Sequence, residues 1–470
     1  MDSQPLYDLA PLAQMMLLGI VIALGPVAWV GWRHRGSARG HRLQALTVLT
    51  LFLTFDLVLF GAFTRLTDSG LGCPDWPGCY GSASPVGARA DIAAAQEAMP
   101  TGPVTHGKAW VEMVHRYLAT GVGVLIIVLA LATWLQWRRS RVAQGQRADG
   151  SASIVHPGWP LFTLLWVCAQ GAFGALTVTM KLFPAIVTLH LLGGVGLLVL
   201  LAAQAERYRQ AAGAPAELLG HGTRTLLWAA TLMVGVQIAL GGWVSTNYAV
   251  LVCNTFPMCQ GSWWPAMDFA QGFELWRPLG TSADGSPLEF HALTAIHYTH
   301  RLFAYAVFAL LSVLAWRLHQ QGRLARQRRW IVGLAALQLV TGLSNVILDW
   351  PLLAAVLHTG GAAALMTVLA WALCASRRAA VPVTAETRAA REGVLLDSTG
   401  PCYGQRGARP ALIRIGITAI GEARIEPGIK ALAAVVDRYR CEPARPVPPV
   451  LSQPVLCPNA LCPNPLCQRV

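Results

Sequence analysis

Four histidines within apolar stretches of the sequence are the residues best placed to do chemistry. His115, His190, His300 and His358 each lie about six residues inside a long apolar segment, which at about 1.5 Å rise per residue puts them at one depth. Ionisable side chains inside membrane helices are costly and usually functional. Two pairs at one depth suit axial ligation of two flat cofactors, although hydrogen bonding between helices is the alternative for any single histidine.

An acidic residue lies one helical turn before the first of these histidines. Glu112 precedes His115 by three positions, so their side chains share one helix face, and the matching position in the second half is His297. A carboxylate here could move protons or hold a reacting group. It could equally be a structural partner for Arg65 or Arg116. The difference between Glu112 and His297 suggests a reactive first half and an electron-carrying second half.

An arginine directly follows a histidine in both halves, at Arg116 and Arg301. A buried guanidinium pairs well with carboxylates, and haem propionates on the outer face are the obvious partners. Snorkelling to the lipid headgroups is the alternative. Glycines near the histidines could admit a porphyrin edge or allow close helix packing. They are Gly121, Gly123, Gly193, Gly194, Gly196, Gly360 and Gly361.

Each half also carries two cysteines six positions apart in a long loop between apolar segments. The spacing, with proline or glycine between the cysteines, permits a small closed loop, and disulfides persist in an oxidising compartment. We therefore expect the bridges Cys73–Cys79 and Cys253–Cys259. Such a bridge usually staples a loop, but a thiolate there could also pass electrons or form a transient adduct.

Membrane helices are the elements that must position these residues. Of 470 residues, 54% are hydrophobic and 13% charged, against about a quarter charged in soluble domains. The net charge of +13 comes from arginine clusters between apolar runs, which fits the positive-inside bias rather than nucleic-acid binding. A spanning helix needs about 20 residues, and nine stretches qualify. They are 11–32, 43–65, 109–137, 159–181, 184–206, 224–248, 292–318, 329–349 and 352–376.

The cysteine pair, the His-Arg pair and a closing His-x-x-Gly-Gly or His-x-Gly-Gly segment recur in the same order in both halves. This internal repeat predicts an all-α integral membrane protein with two pseudo-symmetric four-helix bundles plus one extra N-terminal transmembrane helix. The predicted divisions are 1–42 for the extra helix and its loop, 43–206 and 224–376 for the two four-helix haem units, 207–223 for a cytoplasmic linker and 377–470 for a cytoplasmic tail.

Threading nine helices in order puts every arginine cluster on one face, which the positive-inside rule makes cytoplasmic. The N-terminus and the cysteine loops are then outside and the C-terminus inside. Met1–Asp8 lacks arginine and lysine, so the first apolar run is expected to be a retained helix. In the tail, Ala411–Arg440 faintly resembles the closing segment of aminotransferases, and Cys457, Cys462 and Cys467 lack a usual zinc spacing. Neither feature predicts a function.

Several of these motifs resemble those of the haem A synthase family. The segment from Thr64 to Cys79, Thr-Arg-Leu-Thr-Asp-Ser-Gly-Leu-Gly-Cys-Pro-Asp-Trp-Pro-Gly-Cys, is similar to the first outer-loop signature of that family. Glu112-x-x-His115-Arg116 is similar to its Glu-x-x-His-Arg motif. The likeness covers residues 43–376, whereas the extra first helix and the tail depart from the eight-helix pattern of the family.

The resemblance implies an enzyme that oxidises the C8 methyl group of haem O to a formyl group, giving haem A for cytochrome oxidase. It implies that His115 and His190 hold the substrate haem, that His300 and His358 hold haem B, and that Glu112 lies near the oxidised methyl group. The implied setting is a bacterial-type inner membrane, with haem O synthase, an unidentified electron donor and a possible homo-oligomer as partners.

Two other functions stay open from the residues alone. A cytochrome b-type electron carrier would also need paired histidines, but such proteins usually stack two haems across the bilayer. A haem transporter would explain the histidines and arginines and would not need Glu112.

Overall fold

The structure, a computed structural model, describes residues 10–144 and 155–378 and the helical residues 426, 427, 429, 430 and 433. Its helices are α1 (Ala10–Arg33), α2 (Arg39–Leu66), α3 (Arg89–Ala98), α4 (His106–Gln144), α5 (Gly158–Thr179), α6 (Pro184–Ala211), α7 (His221–Thr246), α8 (Phe269–Gly272), α9 (Phe290–Gln320), α10 (Ala325–Ile347) and α11 (Leu352–Cys374). Two short strands, β1 (Glu217–Leu219) and β2 (Ser376–Arg378), complete the described elements.

Within the described ranges, nine helices are long and apolar enough to cross a membrane, and α3 and α8 are the two that are not. Large apolar side chains lie exposed on their outer faces, including Leu165, Leu232 and Leu353. A helix that is apolar all round is stable where lipid surrounds it, because lipid takes the place of a protein core. The prediction of an all-α integral membrane protein is confirmed.

The spanning helices pack in two similar groups of four. In the first, α2 and α5 each contact α4 and α6; in the second, α7 and α10 each contact α9 and α11. The groups meet where α2 and α6 contact α11 and where α6 contacts α7. A rotation that exchanges α2 with α7 and α6 with α11 therefore preserves the pattern of contacts, as expected for a duplicated four-helix unit.

The extra first helix, α1, packs mainly along α4. The two helices approach closely, since a Cβ atom on Gly19 would lie 2.6 Å from Cγ2 of Thr120. Likewise, a Cβ atom on Gly121 would lie 2.8 Å from Ile22. Small residues allow such backbone approach between membrane helices. The compact unit Met1–Ala379 includes this helix, and Ala380–Val470 forms a second unit.

The structure adds elements that the sequence did not predict. Strands β1 and β2 pair in parallel, with Glu217 opposite Ser376, so the predicted linker 207–223 and the start of the predicted tail form a small sheet. Helices α3 and α8 lie in the two long loops. The predictions for Met1–Asp8 and for the tail cysteines fall outside the described residues, and within Ala411–Arg440 only the five helical positions named above are described.

Candidate functional site

The histidines of the second half face one another across the four-helix unit. The ring centroids of His300 and His358 are 6.5 Å apart and the ring planes cross at 80°. Two metal–imidazole bonds of about 2.0 Å each, plus the distance from each ring centre to its nitrogen, come to about 6 Å. The separation therefore suits an iron atom between the two rings. Two imidazoles on opposite sides are the ligands that complete a porphyrin-bound iron.

Polar side chains hold both of these imidazoles. The amide Nε2 of Gln237 lies 3.0 Å from Nδ1 of His300 and donates to the His300 carbonyl oxygen at 3.1 Å. The hydroxyl of Thr341 lies 3.0 Å from Nδ1 of His358, and Gln338 donates to the His358 carbonyl oxygen at 3.0 Å. Hydrogen bonds of this kind fix the orientation of a metal-ligating histidine and its tautomer.

The histidines of the first half lack such partners. Nδ1 of His190 is buried without a hydrogen bond, and within the described ranges no side chain hydrogen-bonds to the ring of His115. The ring of Phe60 lies parallel to that of His115, with centroids 6.3 Å apart. At the positions that match Gln237 and Thr341, the first half has Leu57 and Phe173. The two histidine pairs therefore differ in their surroundings.

Every one of the four imidazoles packs against a glycine on a neighbouring helix. A Cβ atom would lie 3.0 Å from the His115 ring at Gly61, 3.5 Å from His190 at Gly174, 3.0 Å from His300 at Gly241 and 3.1 Å from His358 at Gly342. A larger residue would push the ring away from its present position. These glycines set how closely each histidine approaches the adjacent helix.

The glycines that follow the histidines in sequence have another role. A Cβ atom on Gly193 would collide with Gln170, and one on Gly361 would collide with Gln338. They allow close helix packing, which was one of the two roles expected for them. The sequence analysis did not predict the glycines beside the rings. A signal for three of them was present, because a glutamine stands four positions before each: Gln170, Gln237 and Gln338.

Glu112 is buried beneath the first cysteine loop. Its Oε2 accepts a hydrogen bond from the Cys73 backbone N–H at 2.8 Å, and its Oε1 pairs with Nη2 of Arg116 at 2.5 Å. Nη1 of Arg116 donates to the carbonyl oxygens of Asp75, Pro77 and Gly78. The pair therefore holds the loop onto α4 one helical turn from His115.

The second half repeats this arrangement with a different partner. Nη1 of Arg301 donates to the carbonyl oxygens of Thr255 and Met258, and its Nη2 donates to that of Cys253. Nδ1 of His297 lies 2.8 Å from the carbonyl oxygen of Ala249, four residues before Cys253, whereas Glu112 accepts from the N–H group of Cys73 itself. Both arginines thus bind the cysteine loops in the structure, and their contact with haem propionates remains a prediction.

Disulfides join Cys73 to Cys79 and Cys253 to Cys259. All four cysteines are at most 1% exposed, which favours a stapling role over thiol chemistry. In the first loop, Asp75 accepts hydrogen bonds from the backbone N–H groups of Tyr80 and Gly81. In the second, the hydroxyl of Thr255 accepts from Gly261. Each bridge therefore closes a tight turn on top of its four-helix unit.

Comparisons with known proteins agree with this geometry. Residues 44–370 match the family model described as cytochrome oxidase assembly protein. The chain is 38% identical over 333 residues to a haem A synthase of Shewanella oneidensis, covering 70% of this chain and 94% of that protein. It is 27% identical to a haem A synthase of Rhizobium meliloti over 72% of this chain and 90% of that protein. A haem A synthase of Alkalihalophilus pseudofirmus is also 27% identical, over 67% and 91%.

Proposed function

Because the chain belongs to the cytochrome oxidase assembly protein family and its relatives are haem A synthases, we propose that its two histidine pairs hold two different haems. The chain is a membrane enzyme of haem A synthesis. In the proposal, His115 and His190 ligate the substrate, haem O. His300 and His358 ligate a resident haem B. The enzyme oxidises the C8 methyl group of haem O to the formyl group of haem A.

The assignment of a different haem to each histidine pair is supported mainly by the difference in hydrogen bonding around the two pairs. Gln237 and Thr341 hold the rings of the second pair, whereas Nδ1 of His190 has no hydrogen-bond partner in the part of the chain that the structure describes. A ligand held by outer hydrogen bonds binds its metal more tightly, and loss of such a bond typically costs about 10- to 100-fold in metal affinity. A tightly held haem suits a resident cofactor. A less constrained pair suits a substrate that must enter and leave.

Gln237 has a further part in this proposal. Its Oε1 is buried and has no hydrogen-bond partner within residues 10–144 and 155–378. Rotation of the amide by half a turn would bring Oε1 to Nδ1 of His300 in place of the bond from Nε2 to the His300 carbonyl oxygen. Nδ1 would then donate its proton to Oε1 and leave the ring Nε2 for the iron. A resident haem held in this way supplies one-electron chemistry, and the residues around it orient the imidazoles.

Glu112 and Arg116 are the proposed reactive and positioning groups of the first half. Glu112 is 4% exposed and lies one helical turn from His115 on the same helix face, so its carboxylate is near the site where the substrate ring is proposed to bind. A carboxylate there can accept a proton from the reacting group. Arg116 holds the carboxylate in place through an ion pair. We also propose that Arg116 and Arg301 contact the haem propionates from beneath the cysteine loops.

Expression with a supply of haem O, followed by extraction and mass analysis of the bound haems, tests the activity. We expect a mixture that contains haem A together with haem B. Haem B alone would indicate an electron carrier. Haem O bound without conversion to haem A would indicate a transporter.

The arginine-rich ends of the spanning helices are proposed to be cytoplasmic, in a bacterial-type inner membrane. The disulfides are then on the outer side, where oxidising conditions preserve them. Fusion of a reporter active only outside the cytoplasm to the loop 249–268 should give activity, and fusion after Arg323 should not. The opposite pattern would reverse the proposed orientation.

The reaction also requires partners. We propose that haem O synthase supplies the substrate through the bilayer, that a separate electron donor serves the resident haem, and that the chain forms a homo-oligomer. Co-purification from membranes with tagged haem O synthase tests the first partner. Retention of both proteins together after solubilisation is expected, and complete separation would contradict a direct transfer.

A further inference from the structure

Six polar side chains are buried together between the helices of the first four-helix unit. We call them the polar file: Thr47, Thr50 and Thr54 of α2, Thr133 of α4, and Gln204 and Tyr208 of α6. Each is at most 4% exposed. Polar groups are costly inside a membrane unless they are paired, so their concentration at one place indicates a function.

Hydrogen bonds link members of the polar file across the helices. Nε2 of Gln204 on α6 lies 3.5 Å from Oγ1 of Thr47 on α2, and Gln204 stands one helical turn before Tyr208. Tyr208 shares a hydrogen bond with the hydroxyl of Thr133. Further along α2, the hydroxyl of Thr54 donates to the carbonyl oxygen of Thr50 at 2.7 Å. The polar file therefore follows the seam between α2 and α6.

One end of the polar file opens into a cavity at the arginine-rich ends of the helices. Thr133 and Tyr208 line this cavity of about 340 Å³ together with His41 and Gln136. Oε1 of Gln136 is buried and has no hydrogen-bond partner among the described residues. A cavity of this size with several polar groups can hold water molecules. The polar file thus starts at a place that water can occupy.

The other end of the polar file points toward the first histidine pair. Thr47, Thr50 and Thr54 are spaced three and four positions apart, so they lie on one face of α2. Gly61 continues that face two turns beyond Thr54 and packs against the ring of His115. The polar file therefore ends on the helix face that carries Gly61, two turns short of the site proposed for the substrate haem.

In the described helices α7, α9, α10 and α11, the second four-helix unit has no such line. The positions that match the polar file hold buried side chains that, apart from a serine at the strand β2, are apolar: Leu227, Ala230, Val234, Leu318, Ala372 and Ser376. Helices α7 and α11 nevertheless pack together as partners in the same bundle. Polar groups are thus not needed to hold a unit of this design together. Their presence in the first unit alone points to something that only this unit does.

We propose that the polar file is a path by which protons and water molecules pass between the cavity at the arginine-rich end and the first haem site. Turning a methyl group into a formyl group breaks C–H bonds. This change is a four-electron oxidation. If water supplies the oxygen, it releases four protons and passes four electrons to an electron acceptor, and if dioxygen is the oxidant, one dioxygen molecule per methyl group gives the formyl group and one water molecule. Either route needs an exit for small polar products. Buried hydroxyl and amide groups that can hydrogen-bond to water molecules between them provide one.

The use of this path in the reaction rests on the proposed substrate role of the first pair, whereas proton access does not depend on which haem that pair binds. Proton access is measured as the rate at which a buried thiol exchanges its hydrogen for deuterium in D2O. The loss of the infrared S–H stretching band monitors this exchange. Single cysteines replace Thr50 or Thr54, and the matched controls are Ala230→Cys and Val234→Cys. The full-length background keeps the four bridged cysteines and replaces the others by serine.

Thiols at Thr50→Cys and Thr54→Cys are expected to exchange at least about tenfold faster than the two control thiols, since a buried polar line admits water where an apolar core does not. Equal rates at all four positions would overturn the proposal. Each variant is first checked for its bound-haem spectrum, which shows that it has folded.

The end from which protons enter the polar file is tested by removing hydroxyl groups at the cavity. Tyr208→Phe combined with Thr133→Val removes two hydroxyls at the cavity end and is expected to slow exchange at Thr54→Cys several-fold. Thr231→Val, which removes a hydroxyl from α7 that donates to the Leu227 carbonyl oxygen, is the control and should leave that rate unchanged. An unchanged rate after closing the cavity end would mean that protons arrive from the loop side, and it would overturn the proposed direction.

Discussion

The two halves of this protein share a framework and differ in the polar groups set into it. In both halves an arginine binds the carbonyl groups of a disulfide loop, and glycines on adjacent helices pack against the histidines. The second half then adds Gln237 and Thr341 beside its histidines. The first half instead adds Glu112 and the polar file. A duplicated unit can thus acquire two roles without changing its helices.

The comparison teaches which features belong to haem binding and which to chemistry. Features present in both halves, such as the paired histidines and the loop-binding arginines, suit the common task of holding a flat ring between helices. Features present in one half alone suit the task of that half. Glu112 and the proposed proton path would serve oxidation, and the hydrogen-bonded histidines would serve retention of a resident haem.

The histidines give the largest expected effect. His300→Ala or His358→Ala should remove the spectrum of the resident low-spin haem completely, because the iron loses an axial ligand. His115→Ala or His190→Ala should leave that spectrum in place and abolish haem A formation. Visible spectra of purified variants distinguish the two cases. A normal low-spin spectrum in both second-half variants would break the proposed division.

Substitution of Glu112 should have the next largest effect. Glu112→Gln keeps an oxygen that can accept from the Cys73 N–H group but removes the ionisable group. If the carboxylate accepts a proton in the reaction, haem A formation should fall by about 100-fold with bound haem unchanged.

The matched control is His297→Gln in the second half, which is expected to change haem A formation far less. Glu112→Ala should lose both the loop contact and the reaction. Undiminished haem A formation in Glu112→Gln would assign Glu112 to holding the cysteine loop alone.

Removal of each disulfide compares the two loops. Replacing either cysteine pair by alanine should lower the free energy of unfolding by about 2 kcal/mol, the amount expected for a short closed loop. Loss of Cys73–Cys79 should also lower haem A formation, because Glu112 is anchored to the Cys73 backbone. Thermal unfolding in detergent and haem analysis measure the two effects. Equal losses of activity for both bridges would argue against a special role of the first loop.

The residues beside the histidines give the smallest expected effect. Gln237→Leu and Thr341→Val copy the apolar character of the first half and should weaken retention of the resident haem by about tenfold. The reciprocal change, Leu57→Gln, should slow release of haem from the first pair. Haem transfer to apomyoglobin measures both rates. Unchanged release in all three variants would mean that these hydrogen bonds do not distinguish the halves.

The fold was largely predictable because the apolar runs are long and the repeat is visible in its motifs. Nine spanning helices were expected, and nine are found in the described ranges. The start of α4 at His106 rather than 109 was missed because its first turn has too few apolar residues to stand out. The sheet of β1 and β2 was missed because three-residue strands far apart in sequence carry no periodic signal.

Site residues of an unusual type for their sequence context could be predicted. Examples are the histidines in apolar segments and the paired cysteines in the long loops. The partners of those residues were not predictable in the same way. Gln237 and Thr341 have no unusual spacing to a histidine, and only helix packing brings them to the rings. The polar file is likewise a property of three helices together, since threonines at helical spacing on one helix are ordinary.

The central claim is that the two histidine pairs hold different haems, and haem identity in the variants tests it most directly. The double variants His115→Ala/His190→Ala and His300→Ala/His358→Ala would be expressed with a supply of haem O, and the extracted haems analysed by mass. The account predicts haem B alone in the first variant and no haem B in the second. Haem O or haem A bound to the first variant would contradict it.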